Sequence, residues 1–219
     1  MTAKCDKAGI VNCIRDERCR GNAIRVSFQE QLKESQTPAV EAMLKHETGI
    51  LHAATAFGKT VVCCNMIAKK VNTLILLQSS ALIEQWESAI ENFLTIDEEL
   101  PEYETSTGRK RRRKSVVGRL QGAHDSTTGI VDIAMAGSVC KKGEFHKRLK
   151  EYGMVIVDEC HRAASDTFVE ILQEVRTKYV YGVTATPLRS DGLEKINYML
   201  LGPVRYQFTA KDTRLFYRR

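Results

Sequence analysis

An α/β fold, with a parallel sheet held between two helical layers, is what this sequence of 219 residues predicts. Three observations lead there. Short runs rich in branched residues are apolar throughout, the pattern of strands buried on both faces. Between several of them lie segments whose apolar positions recur at steps of three and four, the pattern of amphipathic helices. The two kinds of segment alternate along the chain, and that alternation builds a parallel sheet with crossover helices.

Taken in order, residues 1–25 are polar, with scattered apolar positions and no period, and read as a loosely ordered arm. From Val26 the alternation begins. Residues 49–53, 73–77, 130–134, 154–157 and 179–183 are the expected strands. Val40, Met43 and Leu44 share one face of a helix over 38–44, and a second helix over 61–68 follows the first strand. Leu82, Trp86, Ala89, Ile90 and Phe93 form a third helical stripe, and Phe168, Ile171, Leu172 and Val175 a fourth. The exception is 97–129, which opens with Asp97, Glu98, Glu99, Glu102 and Glu104, passes through six consecutive cations from Arg109 to Lys114, and ends in Gly, Ser and Thr. We expect one short strand there, at 115–120, and otherwise a mobile insertion at the edge of the sheet. Residues 26–208 then form the folded lobe and 209–219 a trailing linker.

Composition narrows the class. Hydrophobic residues at 43% and charged residues at 27% are near globular averages, which excludes wholesale disorder, a collagen repeat or a coiled-coil rod. The longest apolar runs, such as 74–77 and 154–157, fall far short of the roughly 20 residues of a membrane helix, so no membrane partner is expected. Lys4, Asp6 and Lys7 are followed by no apolar stretch, and the seven cysteines are odd in number and lack a C-x-x-C pair. Reduced thiols and a cytoplasmic location are the expectation. Cys5, Cys13 and Cys19 are poorly spaced for zinc, and Cys63 and Cys64 read as packing residues. The net charge of +6 equals the charge of the six-cation run, so the remainder of the chain is neutral.

Two motifs carry chemistry. Thr55-Ala56-Phe57-Gly58-Lys59-Thr60 follows the first strand and opens a helix. A phosphate-binding loop sits at such a junction, because backbone N–H groups and the helix dipole favour an anion there. Lys59 is placed for the β- and γ-phosphates of ATP and the Thr60 hydroxyl for Mg²⁺. The usual first Gly is replaced by Ala53. Farther on, an apolar strand ends in Asp158-Glu159, and in open parallel sheets ligands bind beyond the carboxyl ends of the strands. Asp158 there suits Mg²⁺, and Glu159 suits activation of the attacking water.

Together these motifs resemble the DEAD/DEAH-box class of superfamily 2 helicases. Asp158-Glu159-Cys160-His161 reads as a DECH box, and "ATAFGKT" with "VDECH" is most similar to the type III restriction-like and repair-helicase branch. The resemblance implies a RecA-like, P-loop NTPase lobe, with Lys59, Asp158, Glu159 and His161 in the catalytic set. It implies that Gln36 contacts adenine, although the Arg-Pro that often accompanies that Gln is absent. It implies that Thr184 and Thr186, in Thr184-Ala185-Thr186-Pro187, relay nucleotide state to the nucleic-acid groove. Ser79 and Ser80 resemble one backbone-contacting segment, and Gly137 and Ser138 the next.

In this class ATP lies between two RecA-like lobes, and the second supplies Arg residues worth about 10³–10⁵ in rate. The thirty or so residues after Thr186 are too few for that lobe, so weak nucleotide binding and little turnover are expected of this chain. DNA or RNA is the expected partner. The alternatives are a duplex translocase motor of a restriction or defence complex and a non-catalytic nucleotide-binding module. For the cation run, the reading as a solvated loop neutralised by the preceding acids is preferred over contact with a phosphate backbone. The run contains no aromatic residue to stack on bases.

Overall fold

The computed structural model describes residues 15–69, 71–105, 107–162, 165–186 and 194–209. The amino-terminal half carries β1 (Val26–Phe28), α1 (Thr37–Leu44), β2 (Thr48–Ala53), α2 (Lys59–Ile67), β3 (Thr73–Leu77), α3 (Ala81–Phe93), β4 (Leu94–Ile96), β5 (Glu102–Glu104) and β6 (Lys110–Arg112). There follow β7 (Val117–Gln121), β8 (His124–Asp125), β9 (Val131–Met135), α4 (Ala136–Val139), β10 (Cys140–Lys141) and β11 (Glu144–Phe145). The last elements are β12 (Met154–Asp158), α5 (Asp166–Glu174), β13 (Tyr179–Thr184), α6 (Glu194–Leu201) and β14 (Val204–Phe208). Among the described residues no helix is long and apolar enough to cross a membrane.

The central sheet has eight strands in the order β14-β2-β13-β12-β3-β9-β7-β8. All pairs are parallel except that between β7 and β8. Strand alternation divides the core in two. Leu51, Ile75, Met154, Ile156 and Tyr181 point to the face covered by α1, α2 and α3. Ile50, Leu74, Leu76, Val155 and Val157 point to the face covered by α4, α5 and α6. The three-layer α/β architecture expected from the apolar runs is therefore the one observed. Helix α2 explains its own sequence: it is buried at every position from Val62 to Ile67, and all of these but Asn65 are apolar.

Three regions differ from the sequence expectation. Residues 15–25 are bound along the amino ends of the strands. Cys19 exchanges backbone hydrogen bonds with Arg176 and Lys178 (2.5 and 2.9 Å). The buried Asn72 amide accepts from the Asn22 and Gly153 N–H groups and donates to the Gly129 and Glu151 carbonyls. One polar side chain satisfying four backbone groups from distant segments leaves no periodic trace. The insertion is also built. Strands β5 and β6 form an antiparallel hairpin, and β7 joins the main sheet beside β9. The turn before β9 is held by the fully buried Asp132 carboxylate, which accepts from the Thr128 and Gly129 N–H groups, the Thr128 hydroxyl and the Tyr152 hydroxyl. Burial beside that carboxylate pushes the Tyr152 phenol well above its ordinary value. Finally, β14 adds a strand next to β2, where mixed polar residues (Arg205, Gln207) concealed it. The expected linker, apart from Thr209, and Cys5 and Cys13 lie outside the described residues.

Candidate nucleotide site and nucleic-acid rim

Strands β2, β13 and β12 are neighbours, so the segments leaving their carboxyl ends emerge side by side. Parallel register places Asp158 opposite Val183, and Thr184 opposite His52 one residue before Ala53. Residues far apart in sequence thus reach one edge of the sheet.

After β2 the chain makes a single 3₁₀ turn over Thr55–Phe57, then passes through Gly58 at φ 84° into α2. That left-handed conformation suits Gly, and a Cβ at this position would stand 2.6 Å from the Gln36 amide nitrogen. Gln36 is buried and braces the loop. Its amide donates to the Phe57 carbonyl (2.8 Å), and its side-chain oxygen accepts from the Lys33 N–H (3.0 Å). Phe57 is buried against Phe208, with ring centroids 4.7 Å apart, while Thr55 and Ala56 are exposed. The Lys59 ammonium lies over the loop and donates to the Ala53 carbonyl (3.2 Å).

A cavity of about 520 Å³ opens at this loop, bordered by Thr55, Gly58, Lys59, Thr60, Asp158 and Glu159. Asp158 is buried, and one carboxylate oxygen accepts from the Trp86 indole N–H (2.8 Å) while the other accepts from the Glu159 N–H (2.8 Å). Glu159 has φ 50°, a left-handed conformation unusual for a residue with a side chain. Such strain concentrates at functional sites. An ammonium, a hydroxyl and two carboxylates therefore share one cavity at a helix N-terminus. That donor set fits a nucleoside triphosphate with a divalent cation.

Behind the carboxylates, His161 Nδ1 lies 3.0 Å from the Thr184 hydroxyl and 3.2 Å from the Glu159 carboxylate. The Thr184 hydroxyl bonds in turn to the backbone of Thr186. Glu159, His161, Thr184 and Thr186 form one connected chain, whereas Pro187 lies outside the described residues. The buried Cys160 faces Gly182, where a Cβ would stand 2.8 Å from its sulfur, and burial pushes the Cys160 thiol up.

The other predicted residues lie farther along the same edge. Ser79 and Ser80 are exposed where β3 passes into α3. Gly137 is exposed after β9, and the Ser138 hydroxyl accepts from the Gly122 N–H (2.8 Å). Helix α3 supplies what sequence reasoning missed. Trp86, taken there as an ordinary core residue, is fully buried yet bonded to Asp158. Gln85, Ser88 and Asn92 line the cavity from the same helix. Their spacing of three and four was a usable signal, because it forms a polar stripe beside the apolar one.

Residues 29–189 match the protein family described as type III restriction enzyme, res subunit. The DNA 3'-5' translocase XPB2 of Sulfurisphaera tokodaii is 29% identical over 183 residues, which are 83% of this chain and 37% of that protein. A putative helicase of Invertebrate iridescent virus 3 is 30% identical over 190 residues, 85% of this chain and 54% of that protein. The chain spans about a third to a half of the length of these relatives. Among solved structures, the UvsW helicase from bacteriophage T4 is similar with a TM-score of 0.60 at 14% identity, covering 93% of this chain and 75% of that one. The Sulfolobus solfataricus SWI2/SNF2 ATPase core in complex with dsDNA gives 0.59 at 13% identity, covering 80% and 36%. At such identities these structures speak to the fold alone, which is that of RecA-like helicase cores.

Proposed function

The chain belongs to the type III restriction enzyme res-subunit family and is a helicase-family ATPase domain, and from that premise we propose that it is the ATP–Mg-binding first lobe of a nucleic-acid-dependent motor. The observation that carries the reading is the meeting of Lys59, Thr60, Asp158 and Glu159 at one cavity on the carboxyl edge of the sheet. Lys59 would hold the β- and γ-phosphates after leaving the Ala53 carbonyl, with loop N–H groups from residues 55–60 beside it. Thr60 and Asp158 would hold Mg²⁺, whose role is to neutralise charge on the phosphates. Glu159 would orient and deprotonate the attacking water. Gln36 does not line that cavity, and it would contact adenine after its amide leaves the Phe57 carbonyl.

The chain from Glu159 through His161 to Thr184 and Thr186 supports a coupling role, since a change at the water-activating carboxylate moves a bonded network toward the sheet edge. The rim residues Ser79, Ser80, Gly137 and Ser138 would contact a nucleic-acid backbone there. One relative favours DNA, since it is named a DNA 3'-5' translocase. A second RecA-like lobe would complete the site by supplying transition-state charge, so turnover by this chain alone would be slight. The test is calorimetric titration with ATP, with and without Mg²⁺. Saturable binding that strengthens with Mg²⁺ and disappears in Lys59→Ala supports the reading. Absence of binding in the unaltered chain, or rapid DNA-stimulated hydrolysis without any second lobe, would overturn it.

A further inference from the structure

The six cations from Arg109 to Lys114 do not form a loop screened evenly by the acids before them. They lie mostly on the β5–β6 hairpin, and strand alternation sorts them. On one face Glu102 pairs with Arg112 and Glu104 stands opposite Lys110, with a salt bridge of 3.4 Å between Glu102 and Arg112. That face is neutral within itself. On the other, Tyr103 stands opposite Arg111, and Arg113 lies with its guanidinium 4.3 Å from the centre of the Tyr103 ring. Among the described residues of the two strands, this second face carries no carboxylate.

It also borders a cavity of about 470 Å³, lined by Tyr103, Arg111, Arg113, Lys114 and His124 and reached as well by Arg112, which pairs with Glu102; no acidic side chain of the described residues is in that lining. The neighbouring Asp125 carboxylate accepts from Thr127 and His146, and it is the Asp125 backbone carbonyl that receives Arg113 (3.1 Å). The turn carrying Asp125 is the one whose Gly122 bonds to Ser138, and Lys141 donates to the Gly122 carbonyl (2.5 Å). A connected path of backbone and cations therefore runs from the rim residue Ser138 to the hairpin.

We propose that the Tyr103–Arg111–Arg113 face of the hairpin is a second nucleic-acid contact, binding the phosphate backbone of a duplex that also touches the rim at Ser138. The charge sorting identifies the ligand as a polyanion, and continuity with the rim identifies it as the nucleic acid. The Tyr103 ring is already covered by Arg113, so the contact reads phosphates and carries no base preference. The inference rests on the proposed motor function and extends its nucleic-acid path.

The test measures binding of a mixed-sequence DNA duplex to the full chain over a range of salt concentrations. Each phosphate contact contributes about 0.9 to the slope of log K against log salt. Arg111→Gln with Arg113→Gln, both on the proposed face, should flatten the slope by about 1.8, whereas Lys110→Gln, on the self-neutralised face, should change it by well under half of one contact. Equal effects of the two variants, or an unchanged slope in the double variant, would overturn this inference and leave the motor reading intact. A polyglutamate peptide that binds with the same slope as the duplex would overturn the nucleic-acid assignment. Failure of the unaltered chain to bind DNA at all would remove both.

Discussion

Replacing Trp86 by Phe tests the link between helix α3 and Asp158, the carboxylate proposed to hold Mg²⁺. The substitution keeps an aromatic ring in a fully buried position but deletes the indole N–H that donates to Asp158 across 2.8 Å. A hydrogen bond to a charged group is worth about 1.5–3 kcal/mol, and the smaller ring adds about 1 kcal/mol of lost packing. For a domain of this size a loss of about 2.5–4 kcal/mol lowers the melting temperature by roughly 5–16 °C. A stability loss alone would mark Trp86 as a core residue. The distinguishing measurement is nucleotide affinity with and without Mg²⁺ at a temperature where the variant is fully folded. One oxygen of Asp158 keeps the Glu159 N–H, and the other becomes free to turn away from the cavity. The Mg²⁺-dependent part of binding should therefore weaken about tenfold, or about 1.4 kcal/mol, while affinity in chelator stays constant. Equal weakening under both conditions, or none, would refute the claim that Trp86 positions the carboxylate. The chain has a single tryptophan, so in the unaltered protein its fluorescence reports on the surroundings of residue 86 as nucleotide and Mg²⁺ are added.

Gln36→Ala leaves the buried Phe57 carbonyl without its donor and should destabilise the fold by about 1–3 kcal/mol, together with a fall in nucleotide affinity, read by urea titration and calorimetry. Asp132→Asn places an amide against four donors and should lower stability by about 2–4 kcal/mol with no change in nucleotide affinity per folded molecule. Burial raises the thiols of Cys63, Cys64 and Cys160 above the ordinary value of 9.0, that of Cys64 to about 12. Their contribution to stability is whole below about pH 9 and is lost as pH rises toward the folded values, because unfolded thiols ionise first. Denaturation midpoints should therefore fall between pH 9 and 11, and a thiol reagent at pH 8 should reach these three only on unfolding, whereas the half-exposed Cys19 reacts in the folded protein.

Much of the scaffold was legible before any coordinates. All five expected strands exist, and their ends move by no more than a residue or so, because strands buried on both faces must be apolar at every position. The candidate motif residues stood out for a related reason, since a strand–turn–helix junction and a strand-end acid each depend on local geometry, and Lys59, Thr60, Asp158 and Glu159 do border one cavity. Trp86 shows the limit. Its place in a helical stripe marks it as buried, but burial does not say that its N–H meets a carboxylate 72 residues away. The hairpin shows it again. Acids and cations in separate blocks suggest mutual neutralisation, yet register decides which side chains share a face.

Local patterning was enough to establish the α/β class, the order of its elements and the chemistry its motifs are suited to. Period, charge and turn residues act over a few positions, and any sequence records them. Strand order and register act over the whole chain, and they brought Lys59 to Asp158, tied His161 to Thr184, and turned one face of a charged hairpin into an uncompensated cationic surface. Those juxtapositions depend on which distant segments satisfy each other's backbone groups and bury each other's surfaces, and that is settled when the sheet closes.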